Sequence, residues 1–270
     1  MRKQKLLLIA FMCMIAFSGC KKKEPIDLSS LHTTAAIEKE TISSTTEADT
    51  TAASAQESTS SGDKTSGSNY SIKAEIKSYK KDNIAIEYPE VSNMKDADKQ
   101  KQVNEMLKNN ALAIADALSV GTGQSLTVKS TVESSNLKRL SVTYKGDLKD
   151  TGSTKTTRIF YTNTINLESV QNLRLSDYTD TYTVAGYIAS GDYQLEPGYS
   201  GDEKAIRAYI NASDKTTDYY YKKLETSDFS TSATWPEYFS YEKQGNIFIR
   251  IPLSAELGDY AIIKYSPDNK

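Results

Sequence analysis

Residues 237–253 read EYFSYEKQGNIFIRIPL, two strand-like runs meeting at Gln244-Gly245. A Gly-containing pair between aromatic and branched residues predicts a β-hairpin. After it, DYAIIKYSP (259–267) predicts a closing strand. Before it the pattern changes to helical spacing. Asp202–Ala212 carries Ala205, Ile206, Tyr209 and Ile210 as its apolar residues, and Thr181–Ala189 and Thr216–Leu224 also read as helices. Further upstream SLTVKSTVES (125–134), RLSVTYKG (139–146) and TTRIFYTNTINL (156–167) predict three strands. NLRLSDYTD (172–180) predicts a short strand leading into a turn. Asp96–Leu118 predicts a helix, with Val103, Leu107, Ala111, Ile114 and Leu118 on one face and Met106 and Ala117 beside them. Ser71–Tyr79 alternates Ile72, Ala74 and Ile76 against Lys73, Glu75 and Lys77, and NIAIEYP (83–89) predicts a second strand stopped by Pro89. Strands, helix, meander, helices, hairpin and strand, in that order, predict an α+β fold: antiparallel sheets with packed helices, in one large or two small subdomains. The expected divisions of the globular part are residues 70–178 and 179–270.

The first residues are of another kind. Arg2, Lys3 and Lys5 form a basic head before the apolar run Leu6–Phe17. That run is shorter than the about 20 residues a bilayer span requires, and suits a signal peptide. Ser18 and Gly19 then lead directly into Cys20. The pattern resembles the lipobox of bacterial lipoproteins. The resemblance implies that residues 1–19 are a removed signal peptide and that the Cys20 sulfur carries a diacylglyceryl group. Two acyl chains anchor firmly where one binds marginally. Lys21, Lys22 and Lys23 would lie beside the headgroups, each worth about 1 kcal/mol against anionic lipid. Within residues 20–69, the stretch from Glu24 onward is rich in Ser, Thr, Ala and Gly. It cannot bury enough apolar surface to offset ordering entropy and is expected to be a disordered tether, with a reach of about 35–40 Å. The expected location is the cell membrane, lipid-anchored and facing the extracytoplasmic side.

Several activities are excluded by composition. Of two cysteines, Cys13 leaves with the signal peptide and Cys20 is spent on lipid. The exported part then has no thiol for a disulfide, a nucleophile or a metal. The net charge of −2 lacks the basic footprint of nucleic-acid binding. The single histidine, His32, lies in the tether, which removes a Ser-His-Asp triad and histidine zinc sites. Asp177 and Asp180 read as turn and helix-cap residues, not as a calcium loop. No catalytic residue, metal ligand or cofactor is expected, and the chain is read as a non-enzyme. The enzymatic alternative is a wall hydrolase using paired carboxylates, whose separation a sequence does not reveal.

Tyrosine is abundant, with 18 residues against six Phe and one Trp. Tyr219, Tyr220, Tyr221 and Trp235 are the candidate ligand contacts, since Tyr and Trp offer large area with a polar handle. Consecutive helical residues point about 100° apart, so the three tyrosines cannot all face inward.

Three stretches carry a family resemblance. YPEVSNMKDADKQKQVNEMLKN (88–109) and YTNTINLESVQNLRLSDY (161–178) resemble segments of the exported bacterial domain DUF4163. WPEYFSYEKQGNIFIRIPLSAELGDYAIIKY (235–265) resembles its companion, DUF3298. The pair is known from the extracytoplasmic part of lysozyme-sensing anti-sigma factors. The resemblance implies an α+β binding or sensing module of the bacterial envelope, with lysozyme, peptidoglycan or an envelope protein as partner besides the membrane. The anti-sigma role itself is not expected, because it needs a cytoplasmic segment. The other non-enzymatic alternative is a structural or accessory lipoprotein of a membrane complex.

Overall fold

The computed structural model of the protein describes residues 71–230 and 234–267. The expected signal peptide (1–19), Cys20, His32 and the expected tether lie outside the described residues. Among the described residues, two sheets and four α-helices make up the fold. The first sheet contains, in spatial and chain order, β1 (Lys73–Lys81), β2 (Ile84–Ser92), β3 (Gln124–Ser135), β4 (Arg139–Asp150), β5 (Thr156–Asn166) and β6 (Gln171–Leu173). Helix α1 (Ala97–Ala117) connects β2 to β3. Its start is set by Asp96, whose carboxylate accepts the Asp98 and Lys99 N–H groups at 3.0 Å.

The sheets are antiparallel as expected, at every strand pair but one. β2 and β3 run parallel, pairing Ile84–Ile86 with Leu126–Val128. A parallel pair needs a long crossover, and α1 supplies it. The expected stop at Pro89 needs correcting, because β2 continues to Ser92. Pro89 pairs with Ile76 of β1, beyond the point where β3 has left the other edge of β2. Its missing N–H therefore costs no ladder bond. Asn104 of α1 takes over that edge, accepting the Val91 N–H at 2.7 Å and donating to its carbonyl at 3.0 Å.

Helix α2 (Thr181–Ser190) follows a 3-10 turn at Leu175–Asp177, and then β7 (Gln194–Leu195), α3 (Glu203–Ile210) and α4 (Thr217–Leu224). β7 is too short to have left a periodic signal. The hairpin strands are β8 (Phe239–Lys243) and β9 (Asn246–Pro252), and β10 is Tyr260–Tyr265. Gln244 and Gly245 both have positive φ, 51° and 74°, as a two-residue hairpin turn of the favoured hand requires. The second sheet has the order β7-β10-β9-β8, antiparallel throughout.

Alternation sorts these residues into layers. Leu140, Val142 and Tyr144 of β4 and Tyr161 and Ile165 of β5 pack with Val103, Leu107, Ala111 and Ile114 of α1. Tyr161 Oη donates to the Ala111 carbonyl at 2.6 Å. Phe160, from the other face of β5, meets Tyr241, Phe248, Tyr260 and Ile262 of the second sheet. The opposite face of that sheet, Ile247, Ile249, Ile251, Ala261 and Ile263, buries Ile188, Ile206, Ile210, Tyr220 and Leu224 of the helices. The layers run helix, sheet, sheet, helices. Each such aliphatic side chain, once fully buried, contributes about 1.5–3 kcal/mol.

The sheet-to-sheet layer is also polar. Arg139 forks onto both Glu242 oxygens at 3.0 and 2.9 Å. Lys243 reaches Glu133 at 3.0 Å, and Thr162 Oγ1 donates to the Ser240 carbonyl at 2.6 Å. Ser141 Oγ accepts the Glu242 N–H at 3.2 Å and shares a 2.9 Å hydrogen bond with Thr164. These bonds index one sheet on the other, as an oily contact alone does not.

Gly146 marks the tightest point of the first sheet. A β-carbon there would stand 2.1 Å from the Thr127 carbonyl oxygen and 2.9 Å from Val128 Cα. Gly146→Ala is expected to cost about 3 kcal/mol, lowering the melting temperature by roughly 6–12 °C. Gly123→Ala, which meets nothing within 4 Å, should stay within about 0.5 kcal/mol of the parent in the same thermal melts.

Candidate functional site

The site is built on the segment between α4 and β8. Ser227 and Asp228 are buried there, and Asp228 has a left-handed backbone, φ 64°. Its N–H donates to the Tyr238 carbonyl at 3.0 Å, closing the loop between them. One carboxylate oxygen accepts the Ser240 N–H at 2.5 Å. The other accepts the Leu175 N–H at 2.9 Å, Ser240 Oγ at 2.6 Å and Ser227 Oγ at 3.1 Å. Tyr178 Oη also hydrogen-bonds Ser240 Oγ. Burial pushes the Asp228 carboxyl up while these bonds pull it back, leaving it at about 6.

Trp235 lies in the loop that Asp228 closes. Its ring meets Tyr161 at 5.3 Å and Phe229 and Phe239 at 5.5 Å, at interplanar angles of 64°, 80° and 60°. None of the three covers the indole by flat stacking. The side chain is half-buried against the first core, and it lines two cavities that also share Ser230 and Thr234. One, of about 500 Å³, is completed by Asn110, Ala113, Asp116 and Ala117 of α1 and by Phe229. The other, of about 550 Å³, is completed by Arg174, Lys223, Glu225, Thr226, Asp228, Pro236 and Glu237. Both sizes fall within the about 300–1,000 Å³ of small-ligand sites.

Asn110 belongs to a carboxamide cluster. Its Nδ2 donates to Asn163 Oδ1 at 3.0 Å and Asn172 Oδ1 at 2.9 Å, and Asn163 Nδ2 donates to Asn172 Oδ1 at 3.0 Å. The acids on the α4 side are engaged. Glu237 accepts Lys223 Nζ at 2.6 Å, Glu225 is hydrogen-bonded by the Tyr221 hydroxyl, and Asp228 serves the buried knot. Asp116 of α1 is exposed. Among the described residues no group of three or more His, Cys, Asp or Glu is arranged to hold a metal ion, and no helix is long and apolar enough to cross a membrane.

The candidate contacts from sequence separate. Trp235 is in the site. Tyr220 is fully buried and its hydroxyl donates to the Ile210 carbonyl at 2.5 Å, so it supports the helical core instead of a surface. Tyr219 is half-buried against Tyr220 at 5.2 Å. Tyr221 is half-buried and pairs at 5.4 Å with Tyr182, which is 53% exposed. None of the three lines either cavity. Sequence reasoning missed Asn110, Asp116, Arg174, Lys223 and Asp228. They come from three separate parts of the chain, and no local pattern links them to Trp235.

No family model matches this chain, and no curated protein matches it. Among solved structures it is similar to a DUF3298 family protein from Pseudomonas aeruginosa PAO1, with 12% identity over 74% of this chain and 91% of the other and a TM-score of 0.35. A DUF3298 family member from Bacteroides fragilis NCTC 9343 is similar at 10% identity, over 74% and 92% of the two chains, with a TM-score of 0.41. Likenesses this remote assign no function.

The buried carboxyl gives a pH signature. An unfolded Asp loses its proton near 3.8, whereas folded Asp228 keeps it to about 6. The folded state binds more protons between these values, so this residue's contribution to stability falls as pH rises through that window and is level above it. Urea unfolding from pH 4 to 7 should show the parent losing up to about 3 kcal/mol relative to Asp228→Asn, which cannot titrate. Asp228→Ala should be destabilised by about 3 kcal/mol at pH 4, because the buried Leu175 and Ser240 N–H groups lose their acceptor, and the gap to the parent should narrow as pH rises to 7.

Proposed function

We propose that this chain is a lipid-anchored binding module of the bacterial cell envelope. It is held at the extracytoplasmic face by Cys20 and contacts its ligand at the groove around Trp235. The observation that carries the reading is the single tryptophan, braced by three aromatic neighbours and still forming a wall of two cavities. A large amphipathic ring costs free energy to leave partly exposed, and binding sites are where such rings recur. The location is supported by the basic head, the short apolar run and the Ser18-Gly19-Cys20 sequence.

A recessed groove suits a narrow polymer better than the flat face of a folded protein. Peptidoglycan is the polymer that such a location provides. Binding without hydrolysis is expected. Glu237 and Asp228 are each committed to other partners, and Glu225 is bonded by Tyr221. Glycoside cleavage needs two cooperating carboxyl groups, and Asp116 alone does not supply them.

In a bacterial host given labelled palmitate, the parent should take up label and partition with membranes, and Cys20→Ala should do neither. The purified chain should be retained on insoluble peptidoglycan and release no soluble fragments from it. Capture of lysozyme with no retention on the wall would overturn the polymer reading.

A further inference from the structure

We infer that the cavity between α1 and Trp235 recognises an N-acetylated hexosamine, so that the sugar backbone of the wall polymer, and not its peptide, occupies the groove. This rests on the contact at Trp235 proposed above and specifies its chemistry. Asn110, Ala113 and Ala117 are spaced three and four residues apart, so one stripe of α1 faces the cavity. Both Nδ2 hydrogens of Asn110 are taken by Asn163 and Asn172, which leaves its Oδ1 as the atom to offer a ligand. Asp116, six residues further on, adds a carboxylate that can only accept. From α1 the cavity therefore gains two acceptors, which suit a ligand with donors, beside the Ser230 and Thr234 hydroxyls, which can do either.

The apolar part of the wall sets the rest. Trp235 meets its three aromatic neighbours at steep angles and lines the cavity, so the aromatic surface it leaves to the cavity can receive C–H groups. Ala113, Ala117 and Phe229 form a small apolar patch beside it. A pyranose with an acetamido group has each complement: a C–H face for the indole, hydroxyl and amide donors for Asn110 and Asp116, and a methyl for the patch. A plain hexose lacks the methyl, an extended peptide lacks the rigid flat face, and an anionic polymer meets the Asp116 charge. The second cavity adjoins across the same tryptophan, so a chain of such sugars can cross it from one side to the other.

Trp235 is the only tryptophan, so intrinsic fluorescence reports this site alone. The full chain in detergent micelles is titrated with the β-1,4-linked tetramer of N-acetylglucosamine, with cellotetraose and with a wall stem peptide. A saturable change with the acetylated tetramer, at least about tenfold weaker with cellotetraose, is expected. Asp116→Ala should weaken binding about fivefold. Ala117→Phe, at an exposed position, should fill the cavity and abolish binding, with circular dichroism and melting unchanged in both variants. No change with the tetramer at millimolar concentration, an equal response to cellotetraose, or parental affinity in Ala117→Phe would each overturn the inference. If the chain is retained on peptidoglycan but the stem peptide and not the tetramer releases it, the sugar assignment fails while the envelope-binding reading stands. If it neither responds to the tetramer nor binds the wall, both fail.

Discussion

The buried carboxylate of Asp228 joins parts of the chain that nothing local would hold together. It accepts the Leu175 N–H where the first sheet ends, and the Ser240 N–H and hydroxyl where β8 begins. A buried acceptor with this many donors is satisfied in one geometry only, and a buried N–H without an acceptor is costly. The loop that starts at Asp228 and returns at Tyr238 is therefore closed at both ends, and the position of Trp235 follows from that closure. The raised pKa is the cost of placing the carboxyl there. Desolvation opposes its charge, and the hydrogen bonds only partly restore it.

The same logic extends to the contact between the sheets. Phe160, Tyr241, Phe248, Tyr260 and Ile262 supply non-directional burial. Arg139 with Glu242, Lys243 with Glu133 and Ser141 with the Glu242 N–H supply the direction. Arg158 adds a fourth tie. It donates to Ser200 Oγ at 2.9 Å and the Gly198 carbonyl at 2.8 Å, while its own N–H meets Asp259 at 2.9 Å. With the second sheet fixed in this way, β8 and its lead-in are carried to the edge of the α1 layer. The groove forms where the lead-in and α1 approach without closing.

Much of the architecture was legible because its causes are local. The apolar stripe of α1 has helical period, β9 alternates Ile247, Ile249 and Ile251 inward, and Gln244-Gly245 tolerates the positive φ that the hairpin turn demands. Asp96, Asp180 and Asp202 start their helices with short side chains that accept backbone N–H groups. The parallel β2–β3 pairing was not legible. Strand direction in a sheet depends on where α1 deposits the chain, and no residue of β2 or β3 encodes it alone. Pro89 misled for the same reason, since a strand is broken by proline only where a neighbour needs the missing N–H.

The sequence by itself determined the α+β composition, the helix starts, the hairpin, and the absence of thiol and histidine chemistry from the folded region, because each depends on residue type or short-range spacing. It also offered Trp235 as a candidate contact and grouped it with Tyr219, Tyr220 and Tyr221. Only the tertiary structure separated them, burying Tyr220 and setting Trp235 opposite Asn110 and Asp116. The reason is that exposure and neighbourhood are properties of packed layers. Residues more than a hundred positions apart become neighbours only when both sheets and their helices have closed on one another.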